Sequence, residues 1–298
     1  MAVSFLTKLD TISMMNKIQK FIGKLDAFQQ RHHATAFGYA VIRKYGKDSA
    51  GQHAALLTYY GFLALFPLLM VLTTVTNVVI GSHSDLQNTI INGVTDYFPL
   101  LGNQLAEHVH SLEGNDPALI VGILFTIYGA RGVADAFRRG MRRVWGVPNK
   151  EKDGFFPALG KSLLLIIVGG LGFVATSIIA GYAAAAGHGS IYRALSILVS
   201  LFLLFWLFLF LLRISLPSRI KIKEMRLGAA TAAIGLVILQ SLGTYILARE
   251  LRSLDALYSY FALALGLLFW IYLQAQVLYY SAEIATVSSK KLWPRSFS

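Results

Sequence analysis

A charge held inside hydrocarbon is costly, so ionisable and amide side chains within long apolar stretches are the first candidates for chemistry. This chain offers a short set: Arg131 and Asp135 in one stretch, Gln240 in a second, and Gln274, Gln276 and Glu283 in a third. Asp135 follows Arg131 by four residues, the spacing that brings two side chains onto one helix face. Arg138, Arg139, Arg142 and Arg143 continue the run. Guanidinium groups hold phosphate oxygens through paired hydrogen bonds. Arg131, Arg138 and Arg142 therefore suit a phosphate-bearing ligand, and at a membrane surface the nearest phosphates are lipid headgroups. Glu283 can pair with an arginine of this run. Three plainer readings compete: ion pairs that only lock helices together, side chains that snorkel to the interface, and arginines kept because cytoplasmic loops retain positive charge.

Other chemistry finds little support. There is no phosphate-cradling G-x-x-x-x-G-K, no H-E-x-x-H and no G-x-S-x-G. The carboxylates Asp135, Glu151, Asp153 and Glu224 are scattered among basic residues, whereas two-metal chemistry needs them clustered. His108 and His110 lie two apart beside Glu107, and residues at that spacing do not share a helix face, so no metal site is expected. Without cysteine, disulfides and thiolate metal sites are excluded. The expectation is a protein that is not an enzyme and has no cofactor.

Six apolar segments must position these residues: Ala54–Ile80, Pro117–Val133, Leu159–Ala186, Leu195–Leu212, Leu227–Ala248 and Tyr258–Val287. A spanning helix needs about 20 apolar residues, which five segments meet easily; the second is short. A chain that is 55% hydrophobic and 14% charged is too apolar for an ordinary soluble domain. Lysine and arginine divide unevenly among the gaps: eight before the first span, none, eight, one, five, two, and three at the end. Alternate gaps then hold 24 and 3 of the 27. Positive loops stay cytoplasmic, which puts both termini in the cytoplasm. The net charge of +12 thus records orientation rather than nucleic-acid binding.

The N-terminal 30 residues place Phe5, Leu9, Ile12, Phe21, Leu25 and Phe28 at helical spacing among lysines, a basic amphipathic helix on the membrane surface. No cleavable leader is expected. Residues 36–45 predict a second short helix. Pro67, near the middle of span one, frees the Leu63 carbonyl and makes a candidate hinge. Residues 84–112 predict two amphipathic helices on the outer surface, broken at Pro99. Asn115-Asp116-Pro117 opens span two as a cap followed by a first-turn proline, and Val147-Pro148 ends its extension. Gly169, Gly170 and Gly172 in span three, and Gly228/Ala232 and Thr231/Gly235 in span five, suit close helix contact. They predict that these two spans are central. Span four, rich in Leu and Phe around Trp206, reads as lipid-facing and ends at Pro217. No internal repeat is evident.

Several stretches carry a resemblance. Ala54-Ala-Leu-Leu-Thr-Tyr-Tyr-Gly-Phe-Leu-Ala-Leu-Phe-Pro-Leu-Leu-Met70 resembles the opening signature of the YihY/BrkB family of bacterial inner-membrane proteins. So do Gly129-Ala-Arg-Gly-Val133, Arg142-Arg-Val-Trp-Gly-Val147, Leu216-Pro217 with Gly228-Ala-Ala, Leu267-Leu-Phe-Trp-Ile-Tyr-Leu273 and Ser281-Ala-Glu283. Ser281 stands where the family usually has glycine. The order and spacing of these motifs over residues 35–287 carry the resemblance more than any one of them. It implies six spans and no settled biochemistry. Some members carry a ribonuclease label that looks mistaken, others a virulence or serum-resistance label, and some are associated with moving lipids through the envelope. The motif positions include Tyr60, Pro67, Arg131, Pro217 and Glu283, with no catalytic set to carry over.

The sequence therefore predicts an all-α polytopic bundle of six transmembrane helices in the bacterial inner membrane. Residues 1–52 form a basic amphipathic cytoplasmic segment, 53–287 the membrane domain and 288–298 a cytoplasmic tail. The expected function is envelope maintenance through transport of a lipid or other amphipathic anion, with anionic membrane lipids as partners and no nucleic acid. The expected path holds Arg131, Asp135, Arg138, Arg142, Gln240, Gln274 and Glu283, with Pro67 as hinge. The small-residue faces fit one bundle or a homo-oligomer equally. The rivals are a ribonuclease and a non-transporting membrane scaffold.

Overall fold

A computed structural model describes residues 33–80, 116–148, 154–185, 190–250 and 256–293. Among them are seven helices and no strand: α1 (His33–Lys47), α2 (Ala50–Ile80), α3 (Asp116–Val144), α4 (Phe155–Ala185), α5 (Ser190–Ser215), α6 (Ile222–Glu250) and α7 (Ala256–Ser289). The amphipathic helix expected over 1–30 and the outer helices expected over 84–112 lie outside the described residues. The short helix expected at 36–45 is α1.

Each apolar segment lies along one of the helices α2 to α7. These run 26 to 34 residues, longer than the ~20 that a bilayer requires. Among the described residues, two stretches are long and apolar enough to span by length and composition: Ala194–Ser215 and Ile222–Gly243. Only 22% of the first is buried. Phe202, Trp206 and Phe210 on α5, and Ile234, Ile238 and Leu242 on α6, point outward at four-residue spacing. In water such a surface would be a large exposed patch; against lipid it is matched to its solvent. The molecule is an all-helical bundle of membrane type.

The six long helices close a ring in chain order, α2 against α3, α3 against α4, and so on until α7 returns to α2. The helix that also reaches inward is α3, which touches α5 and α7 as well as its neighbours. This corrects the expectation that spans three and five are central. Of the α4 glycines, Gly172 does serve a close contact, since a Cβ there would lie 2.4 Å from Leu207 of α5, whereas one at Gly169 would meet Leu211 at an ordinary 3.6 Å and one at Gly170 nothing within 4 Å. Glycine permits close contact but does not compel it. On α6 the small residues do serve the interface: Gly228 faces Ala285 of α7, with 3.0 Å left for a Cβ. The lipid-facing reading of α5 is half right. Leu204, Leu207, Phe208, Leu209 and Leu212 are buried in the core while Trp206 and its stripe face out.

Two further local readings are refined. Helix α2 continues through Pro67. Helix α3 begins at Asp116 and stops before Val147-Pro148, because Gly146 turns left-handed at φ +64°. Its amide donates to the Arg143 carbonyl at 2.9 Å and the Val147 amide to the Arg142 carbonyl at 2.9 Å. That is a glycine-closed helix end, in which a residue without a Cβ takes the left-handed position at no steric cost.

Candidate functional site

Two polar clusters stand out, and both involve α3. The first is a stripe on its outward face. Leu124, Tyr128, Arg131, Asp135 and Arg142 recur at three-, four- and seven-residue intervals, so they lie along one side of the helix. Leu124 and Tyr128 are 62% and 61% exposed. Arg131 Nε lies 3.9 Å from Asp135 Oδ2, the i, i+4 pair expected from the sequence. Asp135 Oδ1 accepts from Arg138 Nη2 at 3.4 Å and from the Ser162 hydroxyl of α4 at 2.6 Å. Arg138 Nη1 also donates to the Ala158 carbonyl at 3.2 Å. Arg138 and Asp135 thus stitch α3 to α4, while Arg131 remains half exposed.

The stripe runs between α2 and α4, the ring neighbours of α3. On the α2 side Tyr60 stands edge-on to Tyr128 with centroids 6.5 Å apart, and Tyr59 edge-on to Tyr60 at 5.3 Å. Arg131 lies fifteen residues beyond the start of α3, about 22 Å along the axis. The arrangement is an outward-facing stripe with tyrosines beside it and a guanidinium well along the helix.

The second cluster is buried at the other side of α3. Lys44 Nζ of α1 donates to Glu283 Oε2 of α7 at 2.6 Å, to the Val144 carbonyl at 2.6 Å and to Asp48 Oδ2 at 2.5 Å. Glu283 is fully buried and Lys44 only 7% exposed. Lys290 Nζ donates to the Trp145 carbonyl at 2.7 Å. Two lysines from other elements therefore cap the carbonyl end of α3, where the helix dipole favours positive charge. Burial, and then the charge of Lys44, pull Lys290 below its ordinary value. Around this node Tyr45 stacks on Tyr280 at 4.1 Å and its hydroxyl donates to Gln276. Burial, reinforced by Tyr272 and Tyr280, pushes Tyr45 up to about 12. Phe37 meets Trp293 edge-on at 5.3 Å. Among the described residues, Glu283 Oε1 and Trp145 Nε1 are buried without a hydrogen-bond partner.

These contacts sort the residues expected to act together. Arg131, Asp135 and Arg138 form one connected group, and Arg142 lies half-buried one turn further along the same face. Glu283 is apart from them: its partner is Lys44, not an arginine of span two. The reason is register. Gly140 of α3 admits the Tyr279 ring, whose hydroxyl donates to the Ala136 carbonyl at 3.3 Å, and the next turn of α7 then faces α1. Gln240 and Gln274 are half-buried on α6 and α7, and α7 packs against α2 and α3. Pro67 is helical but its side chain lies outside the described residues. Among the described residues, no group of three His, Asp or Glu side chains could hold a metal ion. Sequence reasoning missed Lys44. The available signal was a lone acid at the inner end of span six and a lysine shortly before the inner end of span one.

His53 sits where α2 passes the end of α3. Burial, followed by Arg143 and Arg139, pulls it below the ordinary imidazole value. Its folded form binds a proton less readily than the unfolded form, so its contribution is complete above about pH 6.5 and is lost as pH falls below that. Melting of the purified protein should therefore drop between pH 7.5 and 5, and His53→Asn should flatten the drop. An identical profile in that variant would assign the acid sensitivity elsewhere.

Comparison with known proteins gives consistent matches. A family model described as Virulence factor BrkB matches residues 41–296. A UPF0761 membrane protein of Alcanivorax borkumensis is 26% identical over 259 residues, covering 84% of this chain. The chain spans 59% of that relative's length. The inner membrane protein YhjD of Escherichia coli is 25% identical over 289 residues, covering 88% of this chain and 83% of its own. No solved structure matches.

Proposed function

This chain belongs to the Virulence factor BrkB family, and from that premise we propose that it is a six-span inner-membrane protein that translocates an amphipathic anion, a phospholipid above all. Both termini are cytoplasmic in this reading, which rests on the division of lysine and arginine among the gaps. One observation carries the transport reading: Arg131 is half exposed on the outward face of α3, deep along a helix that is otherwise apolar to that point. A charge used only to lock helices would face inward, as Lys44 and Glu283 do. A charge kept only for orientation would sit at the helix end. An outward guanidinium on an otherwise apolar helix face suits a passing headgroup phosphate, with the acyl chains remaining in the bilayer. The tyrosines of α2 and α3 line the way. The Lys44–Glu283 node supports the scaffold that holds α3.

The test is lipid movement in proteoliposomes, followed as dithionite quenching of a fluorescent anionic phospholipid. Wild-type protein should make the protected inner-leaflet signal accessible, and Arg131→Ala should slow this by about tenfold or more, the equivalent of one lost charge-assisted contact of ~1.5–3 kcal/mol. Arg131→Ala should leave the melting temperature nearly unchanged, because an exposed ion pair is worth about 0–1 kcal/mol. Wild-type vesicles that behave like empty ones would remove lipid translocation and favour the scaffold.

A further inference from the structure

The two stretches long and apolar enough to span a membrane, Ala194–Ser215 and Ile222–Gly243, are joined by residues 216–221 alone. So short a connection between spanning helices lies at the membrane surface. It is fixed to the bundle. Leu216, Ile220 and Met225 of α6 are buried in the core. Arg213 Nη1 donates to the Ile220 carbonyl at 3.5 Å, and the Ile220 amide donates to the Pro217 carbonyl at 3.1 Å. With that side anchored, Lys221, Lys223 and Arg226 are turned outward and exposed. Two apolar side chains share their face, Ile222 at 45% and Leu227 at 40% exposure. Glu224 is the one acid in the segment 213–227, and it is turned the other way. It is half-buried, and its charge acts on Lys290 beyond the end of α7. The outward face is thus cationic and apolar at once, with the acid behind it.

Retention of positive loops accounts for cations in such a connection, but not for the inward acid or the outward apolar pair. A soluble acidic partner would match the charge and leave Ile222 and Leu227 in water. An anionic bilayer surface matches both. Its phosphates meet the lysine and arginine heads, and its acyl boundary receives the apolar side chains and the aliphatic stems. We propose that Lys221, Ile222, Lys223, Arg226 and Leu227 form a binding site for anionic phospholipid of the inner leaflet, held as boundary lipid rather than carried across. None of these residues belongs to the Arg131 stripe of α3, so the site does not rest on the translocation reading.

The experiment is a melting titration of the purified full chain in uncharged detergent micelles, with phosphatidylglycerol or phosphatidylcholine added. Phosphatidylglycerol should raise the melting temperature of wild type to a plateau, and phosphatidylcholine should not. A basic residue at an anionic surface is worth about fivefold in affinity. Lys221→Gln, Lys223→Gln and Arg226→Gln together should therefore need about tenfold or more phosphatidylglycerol to reach half the plateau. The charge-keeping set Lys221→Arg, Lys223→Arg and Arg226→Lys should restore the wild-type midpoint. Lys47→Gln, Arg143→Gln and Lys291→Gln together remove three other exposed cations and should leave it nearly unchanged. Rising salt should weaken the response of wild type. Equal stabilisation of wild type by the two lipids would overturn the site. A control triple that shifts the midpoint as far as the first would mean a diffuse effect of net charge, and would overturn it too. The same shift in Arg131→Ala would assign the bound lipid to the stripe of α3 and overturn the separate site. Equal protection by soluble glycerophosphoglycerol or by a short single-stranded RNA would assign the face to soluble anions and overturn the lipid reading.

Discussion

Lys44→Met should be the most damaging single substitution in the described core, at about 3–5 kcal/mol, the cost of leaving a buried charge without its partner. Glu283 is fully buried, and Lys44 donates to it at 2.6 Å. The same substitution strips the Val144 carbonyl of its cap. Glu283→Leu should cost less, because the Lys44 ammonium still has Asp48 at 2.5 Å and the Val144 carbonyl at 2.6 Å. Combining Lys44→Met with Glu283→Leu removes both buried charges, and apolar replacement of a whole buried pair is often neutral or stabilising. The double variant should therefore melt well above the Lys44→Met protein. Thermal melts of the four detergent-solubilised proteins form the cycle. Simple additivity would mean that the pair is not coupled and that the node does not hold α1 to α7.

Gly129→Val should be the second largest effect. A Cβ at Gly129 would lie 2.7 Å from the Ala64 Cβ, 2.8 Å from its Cα and 3.0 Å from its backbone nitrogen. The obstacle is α2 itself, not the end of a flexible side chain, so relief requires moving one helix against the other. Overpacking commonly costs ~1–3 kcal/mol and occasionally more, and a branched side chain aimed at backbone belongs at the upper end. Ala64→Gly should rescue Gly129→Ala only in part, because the Cα and nitrogen remain where they were. Gly170→Ala is the matched control. Its Cβ meets nothing within 4 Å, and alanine favours the helix over glycine by roughly 0.5–1 kcal/mol. If Gly129→Val and Gly170→Ala gave the same melting temperature, the close approach of α2 and α3 would be refuted.

These two cases mark opposite ends of what could be read in advance. Gly129 belongs to a stretch that the sequence already singled out, Gly129-Ala-Arg-Gly-Val133, although its contact with Ala64 was not legible. Lys44 was read only as part of a basic N-terminal segment. It and Glu283 are 239 residues apart, and no local periodicity links residues at that separation.

What the sequence determined by itself was local or compositional: a set of long apolar helices, the pairing of Arg131 with Asp135 one turn apart, the helix before span one, and the breaks near Pro148 and Pro217. Each follows from backbone preference or from spacing along one helix. Tertiary structure alone decided that α3 is the inward-reaching helix, that Gly172 rather than Gly170 of α4 meets a neighbouring helix closely, and that Glu283 answers to Lys44. The physical reason is the loss of contrast in an apolar solvent. In water, the polar side of a helix marks which face is outside. In lipid, both faces are apolar, so Trp206 facing out and Phe208 buried on the same helix look alike until their neighbours are in place.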